Sequence, residues 1–213
     1  MRTDAPVSRE SARRARAVHI DDSLSGLEVE PLCSAERLAD LGSGAGLPGL
    51  VLAAALPQAS VDLIESAGRK CEFLHHAIEA MGLSNANVIC LRSEEWAKVE
   101  GREAYDAVTA RAVGSLATVA ELASPLLREG GVLVAWKGAR DREEERQLEL
   151  AVPRLAIDPV EVRSVRPYPR SRDRHIHLLR KNGPTPSDLP RRPGMAAKRP
   201  FGSERIGGER KSG

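Results

Sequence analysis

The chain has 213 residues, 41% hydrophobic and 3% aromatic, so one core filled by Leu, Val and Ala, in a single domain with tails, is expected. No apolar run approaches the roughly 20 residues of a membrane span, and the Arg-rich residues 1–18 have no apolar centre, so they are not a secretory signal. The net charge of +2 is uneven: five arginines face Asp4 and Glu10 in residues 1–18, eight Lys and Arg face Asp188, Glu204 and Glu209 in 181–213, and the body between is acidic. That pattern excludes a protein that coats DNA. It fits an enzyme whose basic ends meet a polyanion, or ends that are merely solvated.

The body alternates strand and helix signals. A strand is predicted at 37–41, then a glycine-rich turn and a helix from near Pro48 that stops before Pro57. A second strand spans 60–65. The helix that follows, 67–81, places Phe73, Leu74, Ala77, Ile78 and Met81 on one face and ends at Gly82. A third strand, 87–91, leads to a helical turn at Ser93, with Glu94 and Glu95 favourable near its start. A fourth strand covers 105–111, and Ser115 caps a helix reaching about Leu127. Gly130-Gly131 turns the chain into a fifth strand, 132–136. A charged helix at 140–152 precedes two strands, 157–165 and 174–179, that pair as an antiparallel edge. Repeated strand–helix units imply an α/β fold, a mostly parallel sheet with helices on both faces and an antiparallel terminal hairpin. From Lys181 onward Pro, Gly and Arg dominate, and a segment that is mobile unless bound is expected.

Asp40-Leu-Gly-Ser-Gly-Ala-Gly-Leu-Pro-Gly49 carries the chemistry. A strand, a glycine turn and a helix start make a cradle for a nucleotide-like cofactor. Gly44, Gly46 and Gly49 match the dinucleotide fingerprint; Gly42, Gly44 and Gly46 match the loop of S-adenosylmethionine (SAM) enzymes. Both templates want an acid at the end of the second strand, and Glu65 supplies it. The apolar run stops at Leu41, so Gly42 holds the strand-end position, and Asp40 is expected to face the ligand crevice. A carboxylate there suits the cationic part of SAM better than a pyrophosphate, although an NAD enzyme stays open. Cys33, Cys71 and Cys90 are odd in number and lack metal spacing, so reduced thiols are expected and no metal site. His175 and His177 share one face of a strand and read as structural.

The chain resembles the RsmG/GidB family, bacterial guanine-N7 methyltransferases of small-subunit ribosomal RNA. The resemblance rests on the 40–49 loop, Leu63-Ile-Glu-Ser-Ala-Gly-Arg-Lys-Cys-Glu-Phe-Leu74, Arg92-Ser-Glu-Glu-Trp96, Tyr105-Asp-Ala-Val-Thr-Ala-Arg-Ala112 and Trp136-Lys-Gly138. His19-Ile-Asp-Asp-Ser-Leu24 and the basic Leu189-Pro-Arg-Arg-Pro-Gly-Met-Ala-Ala-Lys-Arg-Pro200 extend it. It implies a class I SAM-dependent methyltransferase fold over 19–180, with an unmatched Arg-rich segment at 1–18 and a basic tail at 181–213. The family carries a longer helical region before the His19 segment, so either the start lies further upstream or those helices are missing.

The resemblance also implies roles. Gly42 and Gly44 let the backbone approach SAM, Leu47 packs against it, Glu65 holds the ribose hydroxyls, and Ser93 and Glu94 frame the adenine. Arg111 and Lys137, at the ends of the fourth and fifth strands, pair with the SAM carboxylate or an RNA phosphate and position the reactants. Trp96, Trp136, Tyr105 and Tyr168 are nearly all the candidates for stacking on the base, and Arg163, Arg166, Arg170, Arg172 and Arg174 form a second basic cluster. Guanine N7 has a free lone pair, so no general base is sought. The expected partner is small-subunit (16S) ribosomal RNA or a ribosomal particle, not DNA or a membrane, met by a cytoplasmic monomer. Two other readings remain: a non-catalytic RNA-binding protein with this fold, and a methyltransferase of another substrate.

Overall fold

The computed structural model describes residues 9–203 of the chain. Helix α1 (Arg9–Leu24) leads through a 3-10 turn and the short α2 (Glu30–Cys33) into β1 (Arg37–Leu41). There follow α3 (Gly49–Ala55), β2 (Ser60–Ile64), α4 (Gly68–Met81), β3 (Ala86–Ile89), α5 (Ser93–Trp96) and β4 (Tyr105–Arg111). Then come α6 (Leu116–Ala123), β5 (Leu127–Lys137), α7 (Arg142–Ala151), β6 (Ile157–Ser164), β7 (His175–Lys181) and α8 (Met195–Lys198). One seven-stranded sheet has the order β3-β2-β1-β4-β5-β7-β6. The first five strands are parallel, and β7 runs antiparallel to both β5 and β6. This is the architecture expected from the sequence.

Side chains alternate between two cores, as the two-residue period of a strand requires. On β5, Val132, Val134 and Trp136 pack toward α2, α3 and α4, while Leu133 and Ala135 pack toward α6 and α7. The chain leaves β1 toward β2 on one side and reaches β4 on the other. The crevice for a ligand therefore opens at the carboxyl ends of β1 and β4, where the strand order reverses.

Four expectations change. The helix expected to reach Leu127 stops at Ala123, because Pro125 has no N–H to continue it. Leu127 already begins β5, which carries Gly130-Gly131 as a bulge rather than a preceding turn. Cys71 and Cys90 are joined in a disulfide, Cα to Cα 5.9 Å, that ties α4 to the end of β3; among the described residues only Cys33 is free. The crossover from β2 through α4 to β3 brings them together, which their spacing in the chain does not reveal. Finally, residues 182–203, expected to be mobile unless bound, are packed on the body with no ligand needed to hold them. Leu189, Ala196 and Phe201 are buried anchors among the prolines and arginines, and Arg102 donates to the Leu189 carbonyl at 3.2 Å.

Candidate active site

The glycine loop is built from β1 outward. Gly42 has a φ of +67°, a conformation that suits glycine, and a Cβ there would meet Val113 at 3.0 Å. The N–H groups of Gly42 and Ser43 donate to the Ile64 carbonyl, locking the loop to the end of β2. Gly49 serves packing instead: a Cβ would lie 2.3 Å from Leu63 and 2.7 Å from the Asp40 carboxylate.

Asp40 does not face the crevice. Its carboxylate is fully buried, 1% exposed, and lines neither cavity at the strand ends. It accepts from Thr109 Oγ1 at 2.9 Å and from the Gly49 N–H at 3.2 Å, so it pins the far end of the loop to β4. Burial pushes its pKa up to about 6 against the lowering by these hydrogen bonds.

Glu65 follows β2 and is buried. One oxygen accepts from the N–H groups of Ser66 and Ala67, at 2.8 and 2.9 Å; the other accepts from the Gly44 N–H at 3.1 Å. A carboxylate has about four acceptor positions, so one is left on the oxygen that faces Gly44. Lys70 stands 3.7 Å from that same oxygen. The lysine at the start of α4 is thereby partnered, although positive charge is unfavourable at a helix start.

A cavity of about 170 Å³ opens between these groups. Gly42, Glu65, Ser66, Leu91, Ser93 and Glu94 line it, from the ends of three adjacent strands. Ser93 and Glu94 are both buried, and Ser93 Oγ donates to Glu94 at 3.2 Å. The opposite wall comes from Thr118 and Leu122 of α6 and from Gly194 and Ala197 in the C-terminal segment. The sequence assigns none of these last four a role, although Gly194 and Ala197 lie in the basic 189–200 segment that carries part of the family resemblance.

A second cavity, about 350 Å³, flanks the first along the turn after β4. His19, Asp22, Arg111, Trp136, Lys137 and Arg174 line it. Between the two cavities Ala112 has a φ of +58°, a strained backbone for a non-glycine residue. Arg111 Nη1 donates to Asp22 at 3.1 Å and to the His19 carbonyl at 3.4 Å. Lys137 pairs with Glu144 and donates to the Gly114 carbonyl at 2.8 Å. Both cations therefore stand at the expected strand ends, and both already have protein partners.

Of the residues singled out from sequence, Gly42, Glu65, Ser93 and Glu94 converge on the first cavity. Gly44 and Leu47 do not line it; Gly44 donates its N–H to Glu65, and Leu47 is half-buried. Arg111 and Lys137 belong to the neighbouring cavity. Among the aromatics, Tyr105 is fully buried, accepts from Trp96 Nε1 at 2.7 Å and donates to Asp62 at 2.7 Å. That chain of bonds makes both rings structural. Trp136 Nε1 donates to the Asp22 carbonyl at 2.8 Å, holding the last turn of α1 over β5. Of the arginine cluster, Arg163 pairs with Glu161, and Arg174 donates to Tyr168 at 3.2 Å. His177 is buried, and desolvation lowers its pKa; His175 contacts the Gly138 carbonyl. Among the described residues no group of three or more His, Cys, Asp or Glu could hold a metal ion.

The model of the family "GidB: rRNA small subunit methyltransferase G" matches residues 7–177, which takes in part of the segment read from sequence as unmatched. "Ribosomal RNA small subunit methyltransferase G" of Rubrobacter xylanophilus is 43% identical over 190 residues, 86% of this chain and 72% of that protein. The protein of the same name from Syntrophomonas wolfei is 40% identical over 197 residues, 92% of this chain and 90% of the relative. Among solved structures, one described as a predicted O-methyltransferase from Agrobacterium tumefaciens has a TM-score of 0.60 at 22% identity, covering 76% of this chain and 81% of that one. M. jannaschii TYW2 in complex with AdoMet has a TM-score of 0.55 at 18% identity, covering 75% and 74%. These structures share the fold. By the family model and by its relatives, the chain belongs to the rRNA small subunit methyltransferase G family.

Proposed function

We propose that this chain transfers a methyl group from SAM to N7 of one guanine in small-subunit ribosomal RNA. The convergence of the glycine loop, Glu65 and Ser93-Glu94 on one cavity at the switch point of the sheet, in a member of this family, carries the reading. The cavity suits SAM: Gly42 presents backbone without a Cβ, and Glu65 keeps one acceptor position for a ribose hydroxyl. Ser93 and Glu94 frame the adenine end, and Gly44 holds Glu65 in place. Leu47, half-buried on the same loop, packs against the cofactor in this reading.

When bound, SAM supplies a methyl group already activated on a sulfonium. Guanine N7 carries a lone pair and no proton, so the protein needs no general base. Its task is alignment, and holding reactants in line is worth up to about 7–11 kcal/mol. Arg111 and Lys137 do that work at the second cavity, where their unused N–H donors meet the SAM carboxylate or an RNA phosphate. Asp22 and Glu144 fix the two cations in place. The target base is reached in a single-stranded loop or a partly assembled particle. Residues 19–180 act as the methyltransferase body and 181–213 as a basic extension, in a cytoplasmic monomer.

The test uses a strain lacking the gene. Its small-subunit RNA, incubated with the purified chain and labelled SAM, gains N7-methylguanine at one position, read by chemical cleavage at that base. RNA binding without methyl transfer points instead to the non-catalytic reading; normal methylation in the deletion strain overturns the assignment.

A further inference from the structure

We propose that residues 189–201 form a strap that closes the cofactor cavity, and that Arg191 and Glu121 are the positioning residues that latch it. The proposal rests on the assignment of that cavity to SAM. The strap crosses the outer side of α6 after the chain has left the sheet at β7. It brings Gly194 and Ala197 to the cavity, which is otherwise walled by the strand ends and by Thr118 and Leu122 of α6. Three sets of bonds hold it against α6 and Glu94. The Gly194 N–H donates to Glu94 at 2.7 Å. Thr118 Oγ1 donates to the Ala196 carbonyl at 3.1 Å. Arg191 Nε and Nη2 donate to the two oxygens of Glu121, at 2.6 and 2.5 Å.

The latch is the strongest of the three. The Glu121 side chain is only 3% exposed, and a buried carboxylate needs a cation with matching geometry. The forked guanidinium supplies two parallel bonds, which a lysine does not. Arg191 also donates to the Arg199 carbonyl at 2.7 Å and lies 4.0 Å over the Phe201 ring. One side chain thus ties the chain ahead of α8 and the residue that follows it to α6. On α6 itself, Thr118, Glu121 and Leu122 are three and four residues apart and share a face. The helix that contributes two cavity residues also carries the latch between them. If the latch opens, Gly194 and Ala197 leave the cavity, and the adenine end loses a wall.

The experiment titrates the full chain with SAM by calorimetry and measures methyl transfer for wild type, Arg191→Met, Ala197→Leu and Arg154→Ala. Arg154 stacks on the same Phe201 ring at 4.2 Å and pairs with Asp188, but takes no part in the latch. Arg191→Met and Ala197→Leu are expected to bind SAM about tenfold more weakly, Arg154→Ala within about twofold of wild type. For Arg191→Met the KM for SAM rises while kcat at saturating SAM stays within about twofold, a split that a merely structural latch does not produce. Ala197 is exposed, so its variant folds even if the latch variant does not. Wild-type SAM affinity in Ala197→Leu overturns the strap. A wild-type chain that binds no SAM overturns the cofactor assignment, and the strap with it.

Discussion

The carboxylate of Glu94 accepts a hydrogen bond from the backbone N–H of Gly194 at 2.7 Å, joining the turn after β3 to a segment a hundred residues further along the chain. Glu94 therefore serves two walls of one cavity. Its neighbour Ser93 binds its other oxygen, so both oxygens are engaged before any ligand arrives. The two bonds fix the orientation of the Glu94 carboxylate at the cavity wall.

Glu65 holds the loop and, in the proposed function, the cofactor as well. Glu65→Ala removes the acceptor for the Gly44, Ser66 and Ala67 N–H groups and the position left for a ribose hydroxyl. SAM affinity should fall by about thirtyfold, roughly 2 kcal/mol. Glu65→Gln keeps one oxygen and should fall between wild type and the alanine variant. Calorimetric titration with SAM checks both.

Asp40 makes stability depend on pH in an unusual direction for a carboxylate. Its folded pKa, pushed up to about 6, lies above the ordinary 3.8, so between those values the folded state binds more protons than the unfolded one. The Asp40 contribution to stability is therefore intact below about pH 4, falls as pH rises toward 6, and is level above that. The total fall is on the order of 3 kcal/mol. Asp40→Asn should lack it. Urea denaturation of wild type and variant between pH 4 and 7 should give a stability difference that grows with pH; a constant difference would rule the mechanism out.

Tyr105 links two polar groups that have few other partners. Tyr105→Phe leaves the Trp96 indole N–H without its acceptor and removes the shortest hydrogen bond to the buried Asp62. The loss should be about 2–3 kcal/mol, seen as a lower urea midpoint with unchanged slope. SAM affinity should not move, because neither ring lines the cavity.

Lys198 and Arg199 are exposed on the outer side of the strap, beside the cofactor cavity. The double variant Lys198→Ser/Arg199→Ser should bind ribosomal RNA more weakly, and the salt dependence of binding should flatten by about 0.7 for each phosphate no longer neutralised. SAM affinity measured without RNA should be unchanged, since the Arg199 backbone carbonyl that meets Arg191 is kept. An unaltered salt slope would show that this face does not meet phosphate.

Much of the fold was legible because its signals are local. The apolar run 37–41, the glycines after it and the strand 105–111 each declare themselves within a few residues, and their observed bounds agree with the reading. Gly42 and Glu65 were legible because a parallel sheet puts the ends of β1 and β2 side by side, while Ser93 and Glu94 were singled out through the family resemblance. Asp40 was misread for the same local reason: it stands at the strand end, but its side chain points inward to Thr109 and Gly49. The Cys71–Cys90 pair could not be read from spacing, since a whole helix separates the two positions.

By itself the amino-acid sequence determined the sheet and the glycine loop, because periodicity and turn chemistry act over a few residues, while the choice of SAM over a dinucleotide came from the family resemblance. Only the tertiary structure decided what closes the cavity. A segment rich in Pro, Gly and Arg reads as mobile until Glu121 and Glu94 are seen to hold it, and those carboxylates need partners because they are buried. Burial is a property of the whole packed chain, and no stretch of sequence carries it alone.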